Sequence, residues 1–400
     1  MTAPPFPVLR LKPKADARRI RHGHPWAWSD EIVLDRRSRA VPAGALAVLE
    51  DGERVPIAMG VATVGGKIAF RVLDRDAGAV IDGAWLRARL AAALDLRARL
   101  FDAPYYRLVH AEGDALPGLI VDRFGSTLVI QPNALWLEER LDEIAGILAD
   151  LTGATCLIKN GQSRARAQEG LTEDMAVLRG DAPDAPIPVE MNGATYLADV
   201  MGGQKTGLFY DQRPNHAFVA GMAGEAAVLD IFAHVGGFGL AALAGGAASA
   251  LAVDASESAL ELAAQGAAAM GASGRFSTRK GDAFAVMEAL VAEGRRFDIV
   301  IADPPAFAPA KSALTAGLRA YERVARLAAG LVEPGGTLML CSCSHAADLG
   351  KFRAACLRGI GRAGRDPRLI HTGFAGPDHP QHLALSETGY LKALAFRLLP

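Results

Sequence analysis

Hydrophobic residues in the C-terminal half of the chain form short continuous runs that alternate with stretches of helical period. Such runs are typical of buried strands, and their alternation with helices predicts a doubly wound α/β sheet. Strands are predicted over residues 228–232, 250–254, 275–279, 298–303, 336–342, 368–372 and 390–397. Helices are predicted over residues 238–244, 256–269, 283–293, 313–331 and 347–363.

The N-terminal 75 residues instead show the short runs and turn signals of an all-β domain. Asp51-Gly52 and Gly65-Gly66 are hairpin dipeptides, and each lies between two apolar runs. Strands are predicted over residues 8–11, 45–49, 55–61, 62–64 and 68–73.

Residues 76–187 mix both patterns and predict a middle α+β domain. The predicted elements are helices over 85–100 and 135–151, a hairpin pairing 119–122 with 127–131, a strand over 156–159 and a basic loop over 164–170. A proline-rich linker follows at residues 183–188, and Asn192-Gly193 predicts another hairpin.

Length and composition narrow the class of protein. A chain of 400 residues is too long to fold around a single hydrophobic core. The predicted domains span residues 1–75, 76–187 and 188–400. Half of the residues are hydrophobic and 22% are charged, which is typical of globular proteins. Because neither an apolar leader nor a long uncharged apolar segment is visible, we expect a cytoplasmic protein without a membrane span. Four cysteines without C-x-x-C spacing indicate reduced thiols.

Net charge of −1 means that a nucleic-acid partner must be met by local basic patches. One such patch precedes Trp26 and Trp28, where base stacking would accompany phosphate contacts. Its basic residues are Lys12, Lys14, Arg18, Arg19 and Arg21. The alternative is a solvated face. Neither His22 nor His24 has partners at ligand spacing, so no metal site is predicted.

The stretch over residues 228–239, VLDIFAHVGGFG, reads as a strand followed by a glycine turn that opens a helix. Backbone N–H groups and the helix dipole face a ligand in such a turn. Gly236, Gly237 and Gly239 also fit a simpler interpretation, in which they only allow close helix packing. The G-x-G-x-x-G spacing of dinucleotide sites is absent.

Acidic residues lie at or just past the ends of the first four strands predicted from residue 228 onward. They are Asp230, Asp254, Asp282 and Asp303. Each alone is explained as a helix cap, but ligands of open parallel sheets lie at these strand ends. The Asp254 carboxylate can accept hydrogen bonds from both ribose hydroxyls, and the Asp282 carboxylate can accept one from an adenine amino group. S-adenosylmethionine has no pyrophosphate and therefore fits the glycine-poor turn better than a dinucleotide does.

Cys343 stands in the sequence LCSCS at the predicted end of the fifth strand. It is either a buried strand cysteine, the interpretation for Cys156, Cys341 and Cys356, or a nucleophile beside the methyl donor. A thiol must be ionised to attack a pyrimidine, so the second interpretation needs a base or a perturbed pKa.

Together these motifs resemble the bacterial ribosomal RNA large-subunit methyltransferase I family, whose members methylate carbon-5 of cytosine. The C-terminal likeness rests on GQKTGLFYDQR at 203–213, VLDIFAHVGGF at 228–238, AVDAS at 252–256, DPPAF at 303–307 and SCS at 342–344. HGHPWAWS at 22–29 resembles the opening PUA domain, a β-barrel, and GDALPGLIVDRFG at 113–125 the middle domain. DHP at 378–380 and GYLKALAFR at 389–397 match the tail.

The resemblance implies a Rossmann-like class I methyltransferase domain that binds S-adenosylmethionine, with large-subunit ribosomal RNA as partner and a homodimer left open. It implies Cys343 as the nucleophile, with Asp303 contacting the base or relaying its proton. The implied cofactor positions are Lys205, Thr206, Phe209, Asp211, Gln212, Arg213, Asp230, Phe232, Gly236, Gly237, Asp254, Ser256, Asp282, Ala283, Asp303 and Pro304.

Three other functions remain open at this point. Asp303-Pro304-Pro305, with the aromatic Phe307 two positions further on, resembles motifs of base amino-group methylases, for which the cysteine would be dispensable. An NAD-dependent oxidoreductase shares the ribose-binding acid. A non-catalytic RNA-binding assembly factor would keep the fold without the chemistry.

Overall fold

The computed structural model describes residues 6–202 and 207–400. The chain forms two compact units, one made of Met1–Ala182 with Asp378–Leu385, the other of Pro183–Pro377 with Ser386–Pro400. The division into three domains made above stays a prediction.

A five-stranded sheet begins the first unit, in the order β1-β3-β4-β5-β2. Its elements are β1 (Val8–Arg10), α1 (Ala17–Arg21), β2 (Trp26–Trp28), α2 (Arg36–Arg39), β3 (Leu46–Glu50), β4 (Pro56–Ala62) and β5 (Ile68–Asp74). The hairpin predictions are confirmed, but a separate strand over 62–64 is wrong because β4 runs unbroken to Ala62. The all-β prediction missed both helices, which begin where Asp16 and Asp35 accept backbone N–H groups.

The second sheet of this unit has the order β10-β9-β8-β7-β6. Its elements are α3 (Gly83–Leu100), β6 (Tyr105–His110), β7 (Leu119–Phe124), β8 (Thr127–Pro132), α4 (Leu135–Glu138), α5 (Leu141–Thr152), β9 (Cys156–Asn160), α6 (Arg164–Gln168) and β10 (Met175–Arg179). The single helix predicted over 135–151 is broken between α4 and α5. The basic loop predicted over 164–170 is also wrong, since Ser163 caps α6.

Residues 378–385 belong to the first unit through a buried polar network around Arg97, which is 0% exposed. Its guanidinium donates to both carboxylate oxygens of Asp114, at 2.5 and 2.8 Å, and to the carbonyl of Asp378, at 2.8 Å. The Asp378 side chain accepts the backbone N–H of Arg107. A late segment of the chain is thereby fixed to an early helix.

The second unit opens with the hairpin of β11 (Ile187–Met191) and β12 (Ala194–Ala198), as Asn192-Gly193 predicts. Next come α7 (Arg213–Ala220), β13 (Ala227–Ile231), α8 (Gly237–Ala244), β14 (Ser249–Asp254), α9 (Glu257–Ala269), β15 (Phe276–Lys280), α10 (Ala283–Ala292), β16 (Phe297–Ala302), α11 (Leu314–Gly330), β17 (Val332–Ser342), α12 (Leu349–Arg362), β18 (Pro367–Gly373) and β19 (Lys392–Leu398). The alternating strands and helices predicted from 228 onward are confirmed, whereas α7 was not foreseen.

The seven strands form one sheet in the order β15-β14-β13-β16-β17-β19-β18. Neighbours are parallel except that β19 runs antiparallel to both β17 and β18. From β13 the chain first adds β14 and β15 on one side and then adds β16 and β17 on the other. The order of the strands thus switches between β13 and β16, and ligands of open α/β sheets bind at such a switch point. No helix among the described residues is long and apolar enough to cross a bilayer.

Candidate active site

The turn after β13 has an unusual backbone. Phe232, His234 and Gly236 have φ angles of 65°, 50° and 81°, so three alternate positions adopt the left-handed region that only glycine enters easily. The conformation is held by the N–H of Ala233, which donates to Val253, and by the N–H of His234, which donates to Asp254. Strained backbone concentrates at binding and catalytic sites because the surrounding structure must enforce it.

Asp230 lies beneath this turn and is 1% exposed. Its Oδ2 accepts the N–H of Gly239 at 2.8 Å, while its Oδ1 has no hydrogen-bond partner in the part of the chain that the structure describes. Burial raises the pKa of this carboxyl to about 7. A buried oxygen without a partner is costly, and a cationic ligand group would satisfy it.

The glycines of the turn also pack closely, as the simpler interpretation predicts, while their ligand-binding role stays a prediction. A Cβ at Gly237 would lie 2.9 Å from Nε2 of His216, and one at Gly236 would lie 3.1 Å from Ala263. Burial lowers the pKa of His216 to about 3, which keeps the ring neutral. The Tyr196 hydroxyl donates to the carbonyl of Gly237.

Asp254 and Asp282 cap local structure while keeping acceptor capacity. The two oxygens of Asp254 accept the N–H groups of Ser256 and His234, both at 2.9 Å, and Ser256 in turn caps α9. Asp282 is exposed and caps α10 through Ala285, at 3.0 Å. Each carboxylate oxygen can accept a second hydrogen bond, so capping and ligand binding are compatible.

Residues before and within α7 meet the end of β16. Nε2 of Gln212 donates to Oδ2 of Asp303 at 2.9 Å, and Oε1 of Gln212 accepts from Asn215 at 2.6 Å. Asp211 accepts the hydroxyl of Tyr390 at 2.6 Å. The folded chain thus brings Asp211, Gln212 and Asp303 to one sheet edge, although they are far apart in sequence.

Two aromatic contacts extend this cluster. The ring of Phe209 meets the His234 ring edge-on, with centroids 5.2 Å apart, and the guanidinium of Arg213 lies 5.5 Å from the centre of the Tyr210 ring. Phe209 is therefore beside the strained turn, as a shared cofactor site requires. Lys205 and Thr206 lie outside the described residues, and the roles predicted for all these positions stay predictions.

Cys343 occupies the turn that follows β17 and is half-buried, whereas Cys156, Cys341 and Cys356 are buried. Its Sγ lies 4.0 Å from the carbonyl oxygen of Pro304, which places it beside the residue after Asp303. Burial raises the pKa values of the thiols of Cys341 and Cys356. Of the four cysteines, Cys343 alone combines partial exposure with a place at the sheet edge.

Neighbouring hydroxyl groups make the Cys343 turn rigid. The Tyr321 hydroxyl, on α11, is 2.7 Å from Oγ of Ser344 and accepts from Oγ of Ser342 at 2.9 Å. Oγ of Ser344 also accepts the N–H of Ala308 at 2.9 Å. Hydrogen bonds thus fix the residues on both sides of the thiol, and nothing in the spacing of the sequence indicated Tyr321.

The basic N-terminal patch is partly occupied by internal ion pairs. Arg19 donates to both oxygens of Glu31, and Arg21 pairs with Asp51. The Trp26 and Trp28 rings pack edge to face at 5.4 Å. Part of this patch is therefore engaged within the chain, and its RNA-binding role stays a prediction. Among the described residues, no group of three or more metal-ligating side chains comes together.

Comparison with known proteins agrees with this geometry. Residues 107–356 match the model of the S-adenosylmethionine-dependent methyltransferase family, and residues 9–75 match a PUA-like domain. "Ribosomal RNA large subunit methyltransferase I" of Klebsiella pneumoniae is 30% identical over the full length of both chains. The chain therefore belongs to the S-adenosylmethionine-dependent methyltransferase family. A ribosomal RNA large subunit methyltransferase of Deinococcus radiodurans is 34% identical over 98% of both chains.

Solved structures support the same fold. A candidate methyltransferase named SMU.776, complexed with SAH, superposes with a TM-score of 0.82 at 18% identity, over 98% of this chain and 99% of the other. A candidate S-adenosylmethionine-dependent methyltransferase from Streptococcus mutans gives 0.81 at 17% identity over the same shares. The predicted class I methyltransferase fold, the PUA-like domain and the S-adenosylmethionine cofactor are confirmed, and the dinucleotide alternative is not supported.

Proposed function

We propose that this methyltransferase forms 5-methylcytosine in large-subunit ribosomal RNA through a covalent adduct of Cys343. The observation that carries the proposal is the rigid, half-buried turn of Cys343, whose Sγ lies 4.0 Å from the Pro304 carbonyl. A nucleophile at this edge can reach a base held against Asp303. The names of the relatives, which are ribosomal RNA large subunit methyltransferases, support the choice of RNA.

The residues around the strained turn suit S-adenosylmethionine. The buried Oδ1 of Asp230 would accept the amino group of the methionine part, with Phe232, Gly236 and Gly237 bordering it. Asp254 and Ser256 would hold the ribose, and Asp282 with Ala283 the adenine. When bound, the cofactor supplies a methyl group that a carbon nucleophile can accept. Contacts from the described members of the predicted set would complete the site: Phe209, Asp211, Gln212, Arg213, Asp303 and Pro304.

The protein's part in the reaction begins at sulfur. The Cys343 thiolate forms a bond to carbon-6 of cytosine, and the carbon-5–carbon-6 π electrons move onto carbon-5. Carbon-5 would then accept the methyl group of the bound donor, whose sulfonium–methyl bond would break to leave S-adenosylhomocysteine. Asp303 takes the carbon-5 proton, directly or through water, and the electrons of that C–H bond restore the double bond. The S–C6 bond breaks in this step, and the thiolate is regenerated.

A cytosine stacked in a helix cannot be attacked in this way, so the target must be unstacked or single-stranded. Phosphate contacts from the basic N-terminal patch and stacking on the half-buried rings of Trp26 and Trp28 would hold the RNA around it. We assign this docking role to the PUA-like domain.

Methyl transfer to unmodified ribosomal RNA by Cys343→Ala and Asp303→Asn variants tests the proposal. Modified cytosines are located by mass mapping of RNA from cells with and without the protein. We expect 5-methylcytosine to disappear with the Cys343→Ala variant, while Cys156→Ala, a thiol in the other unit, keeps activity. Full transfer by Cys343→Ala would refute the covalent route.

The second candidate function is methylation of an exocyclic amino group. It is favoured by the Gln212–Asp303 hydrogen bond, because a fixed carboxylate at this edge can accept an amine proton. In that case Asp303→Asn abolishes transfer and Cys343→Ala does not, so the same two variants separate the candidates. If neither variant nor the wild type binds S-adenosylhomocysteine in calorimetry while RNA binding persists, the chain is an assembly factor.

A further inference from the structure

Lys392 is the first residue of β19 and is buried beside the turn that carries Cys343. It is 4% exposed, and its Nζ donates a hydrogen bond of 2.7 Å to the carbonyl oxygen of Ser344. The antiparallel register fixes this approach, because Lys392 pairs with Ser342 at the end of β17. The Lys392 backbone therefore lies beside Ser342, before the thiol, while its ammonium group bonds to Ser344, after it.

A buried ammonium is costly unless anions or several acceptors balance its charge. Burial lowers the pKa of Lys392 to about 8, and the negative charges of Cys343 and Asp348 act in the opposite direction. Such an electrostatic interaction is reciprocal, so a cation that is stabilised by a thiolate stabilises that thiolate equally. Asp348 is exposed and caps α12, where Lys351 binds it.

Tyr321, Cys341 and Asp303, which lie near the thiol in the described part of the chain, do not provide this charge. Burial raises the pKa values of Tyr321, on α11, and Cys341, on β17, so both are neutral at pH 7. Asp303, at the end of β16, is an acid and would oppose ionisation of a nearby thiol. His345 follows the turn and is exposed. A nucleophilic Cys343 needs a nearby cation to offset the negative charge of Asp303. The ammonium group of Lys392, on β19, is that cation.

We propose that Lys392 is a positioning residue that stabilises the thiolate of Cys343 before the pyrimidine arrives. The thiol proton leaves to solvent, and thiolate and ammonium then form a half-buried ion pair. When sulfur bonds to carbon-6, its negative charge passes to the base, and Lys392 keeps the Ser344 carbonyl as acceptor. The inference rests on the proposed nucleophilic role of Cys343 and adds the group that ionises it.

The test measures the thiol itself in the full chain, without RNA or methyl donor. Iodoacetamide alkylates a thiolate by forming an S–C bond as iodide leaves, and mass spectrometry of the Cys343 peptide gives the rate at each pH. We expect Lys392→Met to slow alkylation of Cys343 at neutral pH by about tenfold and to raise the pH midpoint by about one unit. Lys392→Arg should retain most of the wild-type rate.

Two controls separate charge from loosening of the turn. Tyr321→Phe removes a hydroxyl that bonds to the same turn from α11, without changing charge, and the midpoint should stay at its wild-type value. If Lys392→Met does not fold, the wild-type midpoint is compared with that of Cys343 in the urea-unfolded chain, and it should be lower in the folded chain. The proposal is overturned by an unchanged midpoint in Lys392→Met, by an equal shift in Tyr321→Phe, or by equal folded and unfolded midpoints.

These outcomes are independent of methyl transfer. If Cys343→Ala keeps full activity, the covalent route fails, yet the alkylation profile still shows whether Lys392 controls thiol ionisation. If the profile is unchanged while Cys343→Ala is inactive, the nucleophile stands and the role of Lys392 is refuted.

Discussion

Gln212 and Asp303 are 91 positions apart in the sequence and are joined by a hydrogen bond of 2.9 Å. The bond lies at the carboxyl end of β16, in the seven-stranded sheet. The bond is part of a chain, since Asn215 donates to Gln212 and also to the carbonyl of Phe374. Gln212 is buried and fixed on one side, so it holds the Asp303 carboxylate in a defined orientation.

Replacing Gln212 by alanine should therefore impair the reaction. A hydrogen bond to a charged group contributes about 1.5–3 kcal/mol, so we expect the single-turnover rate of methyl transfer to fall by about tenfold or more. The matched control is Gln265→Ala, an exposed position on α9, whose rate should equal that of the wild type. An unchanged rate for Gln212→Ala would show that the orientation of Asp303 does not limit transfer.

Asp230 makes the stability of the second unit depend on pH. Burial raises the pKa of its carboxyl from 3.8 to about 7, so folding favours the neutral form. Its stabilising contribution is complete below pH 3.8 and is lost as the pH rises through 7. Asp230→Asn stays neutral at every pH. As the pH rises between these values, its free energy of unfolding should therefore increase relative to that of the wild type, by at most roughly 4 kcal/mol. Urea unfolding at several pH values measures this, and a constant difference would contradict it.

How far the sequence predicted this molecule depends on whether the signal is local. The strands from residue 228 onward could be predicted because each is a short apolar run, and parallel pairing then places Asp230, Asp254 and Asp303 at one edge. The break between α4 and α5 and the capped helix α6 could not, because local capping and packing override the averaged pattern there.

The supporting residues of the site were also beyond prediction. Tyr321 and Lys392 contact the Cys343 turn from α11 and β19, and neither lies in a motif that indicates the contact. His216 supports the glycine turn from α7, a helix that was itself missed. Contacts of this kind depend on how distant elements pack and leave no periodic trace in the sequence. The homodimer that was left open likewise has no local signal in the sequence, and it stays open.

Replacing Gly236 by alanine should weaken ligand binding in addition to lowering the stability of the protein. The φ of 81° at Gly236 strains any other residue, and an added Cβ would lie 3.1 Å from both Ala263 and Leu240. Gly271 is the matched control, since its φ is 66° and its Cβ would meet nothing within 4 Å. Both alanine variants should lose about 1–2 kcal/mol of stability, but only Gly236→Ala should weaken S-adenosylhomocysteine binding, by about tenfold in calorimetry. Equal affinities would show that the turn does not contact the cofactor.

Arg97 should be a major determinant of the stability of the first unit. Arg97→Met removes the guanidinium that binds Asp114 and the carbonyl of Asp378, and leaves the Asp114 carboxylate buried without its ion-pair partner. Breaking a buried ion pair in this way costs about 3–5 kcal/mol. Arg99→Met on the same helix removes an exposed pair with Asp95 and should leave the urea midpoint unchanged. Because the network fixes residues 378–385, limited proteolysis of Arg97→Met should also cut this segment faster than in the wild type. Equal urea midpoints and equal cleavage rates in the two variants would show that the buried network contributes nothing to holding the segment.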